Sequence, residues 1–383
     1  MGEHLRKLLI LLAALSLLAA ACGSDSDDDT EAGADTEAEA ESDDEAEADT
    51  EEEDAESDDS GDAEPAAEGD APTTLDIAVV LEGVQEEGWN AAMIGALDRI
   101  TAEAPYDLDL SYQLIEDVAY ADGERIGRDL ANSGTYDMII MHSAYVDSVN
   151  ALAPDFPEIA FGVSGSGNDL AMGGNVYWID VFIHEPAYLL GMIAGSMTDS
   201  GQISAVAGFP FANVNAPVHA FIDGAQSIDP DITASVTYIE SWFDAVTANE
   251  SAVAQIAAGS DMIYAERFGP VEAAASEDGV FAFGHFTDQS SLNPDIVLAS
   301  AIALWDPAVM TIIDAWYDFE VNGTAYAAPA EERIVFDSMT QGGSDITELS
   351  DSVPAEVAEL IAETREQILS GELEVPFDDS PFE

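Results

Sequence analysis

With only one cysteine, Cys22, in 383 residues, this chain forms no internal disulfide, and whatever folds is held by its core alone. Basic side chains are almost as scarce. Eight lysines and arginines stand against 79 aspartates and glutamates, a formal net charge of −71. Beyond residue 72 the bases are Arg99, Arg125, Arg128, Arg267, Arg333 and Arg365, and lysine is absent. That balance argues against a nucleic-acid partner, because phosphate would meet repulsion over almost the whole surface. Direct adhesion to an anionic membrane is disfavoured for the same reason, and a salt-rich habitat would screen the self-repulsion. Catalytic signatures are missing too. His4, His142, His184, His219 and His285 make no H-x-x-x-H pair, and no Walker loop or D-x-[DN]-x-[DN]-G calcium loop occurs. Gly162-Val163-Ser164-Gly165-Ser166-Gly167 looks like a nucleophile elbow, but Ser166 stands where the second glycine of G-x-S-x-G belongs. The expectation is a protein that is not an enzyme and needs neither metal nor cofactor.

What is present begins with Arg6 and Lys7, followed by an apolar run from Leu8 to Ala21. That run has the length of a signal peptide and is short for a membrane span. Ala19, Ala20 and Ala21 precede Cys22 in a pattern resembling a bacterial lipobox, although Leu18 is at the fourth position before the cysteine rather than the third. Residues 1–22 are therefore expected to be a lipoprotein signal whose Cys22 is lipidated, the lipid being the one link to the membrane. An ordinary secreted protein with an incidental cysteine is the alternative. Residues 23–72 carry 25 acids, no base and almost no large apolar side chain. Such a segment buries too little apolar surface to offset its ordering entropy, which predicts a disordered, extended tether rather than a cation-binding tail.

The remaining 310 or so residues are enough for two lobes. Short β-branched runs such as "LDIAVVL" (75–81) and "YDMIIMH" (136–142) alternate with segments of helical spacing, and the alternation restarts at "QISAVAGF" (202–209). This predicts an α/β protein of two doubly wound parallel-sheet lobes with a ligand cleft between them. The expected division is residues 73–180 for the first lobe, completed by about 297–324, and 181–296 for the second, completed by about 325–383. A two-domain α/β enzyme shares the pattern.

Five stretches resemble the basic membrane protein family of substrate-binding lipoproteins, many of which bind nucleosides: "EEGWNAAMIGAL", "YDMIIMHSAYVDSVNALAPDFPEIAF", "NVYWIDVFIHEPAYLLGMIAGSMTDSGQISAVAG", "SWFDAVTANESAVAQIAAGSDMIY" and "GVFAFGHFTDQSSLNPDIVLAS". Their order and spacing over about residues 75–305 carry the likeness. It implies the type I periplasmic binding protein fold. It also implies a monomer that captures a small molecule, a nucleoside or base, and delivers it to an ABC permease from the outer face of the membrane. A sugar-binding protein or a sensory receptor of the same fold is the alternative.

Candidate site residues follow from the loops. Trp89 and Asn90 stand where a strand-end loop meets a helix, and offer a flat face and an amide edge suited to a nucleobase. Trp89 reads equally as the first core residue of that helix. Trp242 and Phe243 form a second aromatic group in the other lobe, with Asp244 beside them, which reads also as a helix cap. Ser143, after the third strand, is a further candidate, and the loop "GFPFANVNAPVHAF", which departs from the form of the family's nucleoside binders, offers Phe209, Asn213 and His219, so that a free base or another small polar aromatic compound is also a candidate ligand. The resemblance implies Asp288, from a G-x-D-x-D-Q pattern whose first acid is here Phe286; a carboxylate there can accept from sugar hydroxyls. A turn aspartate is the plainer reading of Asp288. Ala303 stands where some relatives carry lysine, which puts ribose recognition in those relatives' manner in doubt.

Overall fold

The computed structural model describes residues 71–382 apart from 166 and 169. The expected signal peptide, Cys22 and the tether up to residue 70 lie outside the described residues. The first lobe is built from β1 (Thr74–Leu81), α1 (Gly88–Glu103), β2 (Asp109–Ile115), α2 (Gly123–Asn132), β3 (Met138–His142), α3 (Val146–Leu152), β4 (Ala160–Ser164) and β5 (Val176–Val181). The second is built from α4 (His184–Met197), β6 (Gln202–Ala207), α5 (Ala212–Ile228), β7 (Thr233–Tyr238), α6 (Ala245–Ala257), β8 (Met262–Ala265), α7 (Pro270–Ala274), β9 (Phe281–Phe286) and β10 (Val297–Ala303). The chain then runs through α8 (Asp306–Asn322), β11 (Ile334–Phe336), β12 (Ser344–Ile346) and α9 (Ala355–Ser370).

The two sheets repeat one plan. Strand order is β2-β1-β3-β4-β5-β11 in the first and β7-β6-β8-β9-β10-β12 in the second. Pairing is parallel throughout except where β12 runs antiparallel to β10. β3, β4 and β8 are buried along their whole length, which is why they read as continuous apolar runs rather than alternating ones.

The lobe boundaries differ from expectation after residue 296. Strand 297–303 does not return to the first lobe; it pairs with β9 in the second sheet. Helix α8 makes the return, packing on α1, β4 and β5. β11 then completes the first sheet and β12 the second, so the segment after 324 is shared between the lobes. An apolar strand fits either sheet equally well by composition, and only its register with a neighbour decides.

Two local features place the site. The carboxylate of Glu87 caps α1 by accepting from the Trp89 amide, which sets Trp89 in the first turn. Helix α5 begins at Ala212, with Pro217 inside it. The bond lost to proline is offset by burial of Val214, Ala216, Val218 and Phe221, and the start at Ala212 puts Asn213 in the first turn. α5 lies very close to α4: a side chain at Gly191 would stand 1.9 Å from the Phe221 carbonyl oxygen, so glycine is required there.

Candidate functional site

Loops at the carboxyl ends of seven strands enclose one cavity of about 590 Å³. Glu82 and Gly83 follow β1, Ser143 follows β3, and Ser164 ends β4. Phe209 follows β6, Trp242 and Phe243 follow β7, Glu266 and Arg267 follow β8, and Phe286 ends β9. Seven aromatic side chains line it: Trp89, Tyr120, Phe209, Phe211, Trp242, Phe243 and Phe286.

Trp89 is held from behind. Its ring stacks on His142 (centroids 5.1 Å apart, 16° between planes) and meets Trp305 and Phe286 edge-on. Burial pushes the His142 imidazole down to about 3, so the ring is neutral. Its Nε2 lies 3.1 Å from the Trp89 carbonyl oxygen, which only accepts, so the proton is on Nε2. Nδ1 therefore accepts from the Ser164 hydroxyl at 2.8 Å. Phe286 has φ 62°, a left-handed conformation unfavourable for a bulky side chain, and in it the ring leans on Trp89 across the cleft. On the opposite wall the Trp242 ring covers Gly208, where a Cβ would come within 2.6 Å of it, and Phe209 and Phe211 pack beside it.

The polar groups form two clusters. Glu82 accepts from the Tyr120 hydroxyl, whose oxygen accepts in turn from Ser143 Oγ at 2.8 Å. Burial, with the Glu82 hydrogen bond second, raises the Tyr120 hydroxyl well above its ordinary value, so it stays a donor. The second cluster centres on Arg267. Its Nε and Nη2 bind Glu266 Oε2 and Oε1 at 2.8 and 2.7 Å, and its Nη1 donates to Glu87 Oε1 and the Trp242 carbonyl, both at 3.1 Å. The guanidinium carbon lies 5.1 Å from the centroid of the Trp242 ring. Burial disfavours charge on Arg267, but the two carboxylates outweigh it and hold its pKa above the ordinary value. Among the described residues the charged groups lining the cavity are thus three carboxylates, Glu82, Glu87 and Glu266, and one guanidinium. An anionic solute would meet net repulsion.

Of the residues singled out from the sequence, Trp89, Asn90, Ser143, Phe209, Asn213, Trp242 and Phe243 line this cavity. Asp288 does not: it is exposed and accepts from the Ser290 amide, a turn aspartate. Asp244 is the cap of α6, accepting from the Thr247 amide and hydroxyl. His219 also lies off the cavity, donating to the Ser380 carbonyl and stacking on Phe382. Ala303 is buried near the end of β10. Sequence reasoning missed Glu82, Tyr120, Ser164, Phe211, Glu266 and Arg267. The signal for Glu266-Arg267 was present, since adjacent charges directly after a wholly apolar strand stand at a strand's carboxyl end.

Comparison with known proteins agrees with this architecture. The family model described as "ABC transporter substrate-binding protein PnrA-like" matches residues 75–379. The chain is 30% identical over 303 residues to TsgA13 of Haloferax volcanii, named as an ABC transporter glucose-binding protein, covering 78% of this chain and 72% of that one. It is 28% identical over 261 residues to a purine-binding protein of Brucella abortus, covering 68% and 71%. Among solved structures, an ABC transporter solute-binding protein from Conexibacter woesei superposes with a TM-score of 0.63 at 20% identity, covering 79% of this chain and 98% of that one. That likeness concerns the fold, two α/β lobes of the type I periplasmic binding protein. With the family model spanning both lobes and the cleft between them, the chain belongs to the PnrA-like family of ABC transporter substrate-binding proteins.

Proposed function

We propose that the cleft captures a neutral solute with a planar ring, a nucleoside or purine-like base, and that the protein delivers it to an ABC permease on the extracytoplasmic side of the membrane. The observation that carries this reading is one cavity walled by seven aromatic side chains drawn from both lobes, with carboxylates in excess over the guanidinium. Aromatic faces stack on a heterocycle, Asn90 and Ser164 in the cavity lining are the polar groups proposed for its edge, and the acid excess opposes phosphorylated solutes. The purine-binding relative supports the same ligand class. Cys22 carries the lipid anchor in this reading, residues 23–72 form the tether, and the protein works as a monomer.

A sugar is the second reading. The glucose-binding relative favours it, as does the cluster of Glu82, Tyr120 and Ser143, since a carboxylate with nearby hydroxyls also suits a polyol stacked on an aromatic face. Calorimetry and thermal shift with adenosine, guanosine, guanine and D-glucose separate the two. A nucleoside at about 100 times its Kd adds about 2.7 kcal/mol to stability. Binding of D-glucose with no response to the purines overturns the first reading. Replacement of Cys22 by serine tests the anchor: the variant is released or stays unprocessed, and normal membrane attachment would refute it.

A further inference from the structure

Behind Phe286 a second, polar space of about 10 Å³ lies between Glu87 of the first lobe and Glu266, Arg267, His285 and Gln289 of the second. His285 Nε2 and Gln289 Oε1 are buried there without a hydrogen-bond partner, and His285 Nε2 is 3.5 Å from Glu266 Oε1. The space has the size and the polar partners that suit one water molecule. The Arg267 cluster therefore extends from the cavity wall into the seam between the lobes.

We propose that Arg267 is the positioning residue of the cleft: one guanidinium holds the Trp242 wall of the second lobe directly and the Trp89 wall of the first through Glu87. The donors account for it. Glu266 takes the Nε side of the fork and keeps it rigid, leaving Nη1 for the Trp242 carbonyl and Glu87. Glu87 divides its two oxygens, Oε2 accepting from the Trp89 amide within its own lobe and Oε1 from Arg267 across the cleft. Opening the lobes breaks the second contact and leaves the first. The pair is well buried, with side-chain exposures of 6% for Arg267 and 11% for Glu87, so salt screens it little. Arg267 thus registers closure by bringing both tryptophan walls to the same solute. The role of the walls rests on the proposed solute reading; the contact itself does not.

The experiment is amide hydrogen exchange on the full-length, ligand-free protein, comparing wild type with Glu87→Gln and Arg267→Lys. Glu87→Gln keeps an oxygen for the α1 cap and loses the charge that Arg267 binds. Exchange several-fold faster over residues 83–90 and 241–243, with the central strands at 138–142 and 203–207 unchanged, is the expected result. Wild-type exchange at the cleft in Glu87→Gln overturns the proposal, as does exchange that rises equally in the central strands, the mark of general destabilisation. Arg267→Lys, which keeps the charge and loses the fork, is expected to resemble Glu87→Gln. Adenosine binding gives the second readout: Glu87→Gln weakens it by about tenfold, the scale of one hydrogen bond to a charged group. Altered exchange in Glu87→Gln with no adenosine binding by wild type leaves Arg267 in its role and removes the nucleoside reading instead.

Discussion

At the scale of single residues, the side chains at this cleft do two things at once. Trp89 is both a core residue, stacked on His142 and edged by Trp305, and a cavity wall, so the two sequence readings of it were not exclusive. Trp89→Ala is expected to weaken nucleoside binding by about 1–3 kcal/mol, the usual cost of losing an aromatic stacking partner. Asn90→Ala should hurt ligands with a hydrogen-bonding edge more than plain aromatics, while Asp288→Ala leaves affinity unchanged. Calorimetry on the three variants checks all of this, and a large loss in Asp288→Ala would return that loop to the site. Gly208 gives a steric test. A methyl group there collides with the Trp242 ring at 2.6 Å, so Gly208→Ala should tilt the ring, alter tryptophan emission and lower affinity while the fold persists. Unaltered emission and affinity would show that Trp242 yields without consequence. The two readings of Asp288 could not be separated in the sequence for a physical reason. A turn aspartate and a ligand-binding aspartate both follow a strand and differ only in where the backbone turns them.

At the scale of elements, the carboxyl ends of the strands do the work, and β3 shows how. His142 ends that strand, fully buried and neutral, with one nitrogen donating to the Trp89 carbonyl and the other accepting from Ser164. An unfolded histidine titrates near 6.5. Below that pH the unfolded chain takes up a proton that folded His142 refuses down to about 3, so its contribution is complete above pH 6.5 and declines as pH falls toward 3. Burial likewise lowers His184, to about 4, and His285, where Arg267 adds to the effect. Burial raises the carboxyls of Asp137 and Glu185, and these act in the opposite sense, binding protons in the folded state as pH falls through the carboxylate range. Chemical denaturation between pH 7 and pH 5.5, above most of that range, should show stability falling with pH. His142→Gln should flatten the slope by up to about 1.4 kcal/mol per pH unit. An unchanged slope would mean that His142 is not held neutral.

At the scale of the whole molecule, charge dominates. From residue 73 onward 53 acids face six arginines. Arg99, Arg125, Arg128 and Arg365 form ion pairs with carboxylates at or near the surface, Arg333 pairs with the buried Asp180, and Arg267 is buried in the cleft. The remaining carboxylates repel one another. The melting temperature should therefore climb as monovalent salt rises from low concentration, through screening of that repulsion. A flat or falling curve would contradict it.

What the sequence determined by itself was whatever depends on local order along the chain. Apolar runs of strand length alternating with helical periods specify parallel α/β layers, because such strands are buried on both faces, and the restart of the pattern specifies two lobes. Aromatic residues in the loops and first helical turn that follow strands made Trp89, Trp242 and Phe243 candidates for cavity walls, because strand ends are where open sheets leave room. What only the tertiary structure decided were pairings between distant segments. Whether strand 297–303 joined one sheet or the other depended on its register with β9. Whether Asp244 and Asp288 faced solute or a neighbouring amide depended on backbone direction in their turns. Glu87 and Arg267, 180 residues apart, meet because the lobes close, and a contact of that separation leaves no periodic trace in the chain.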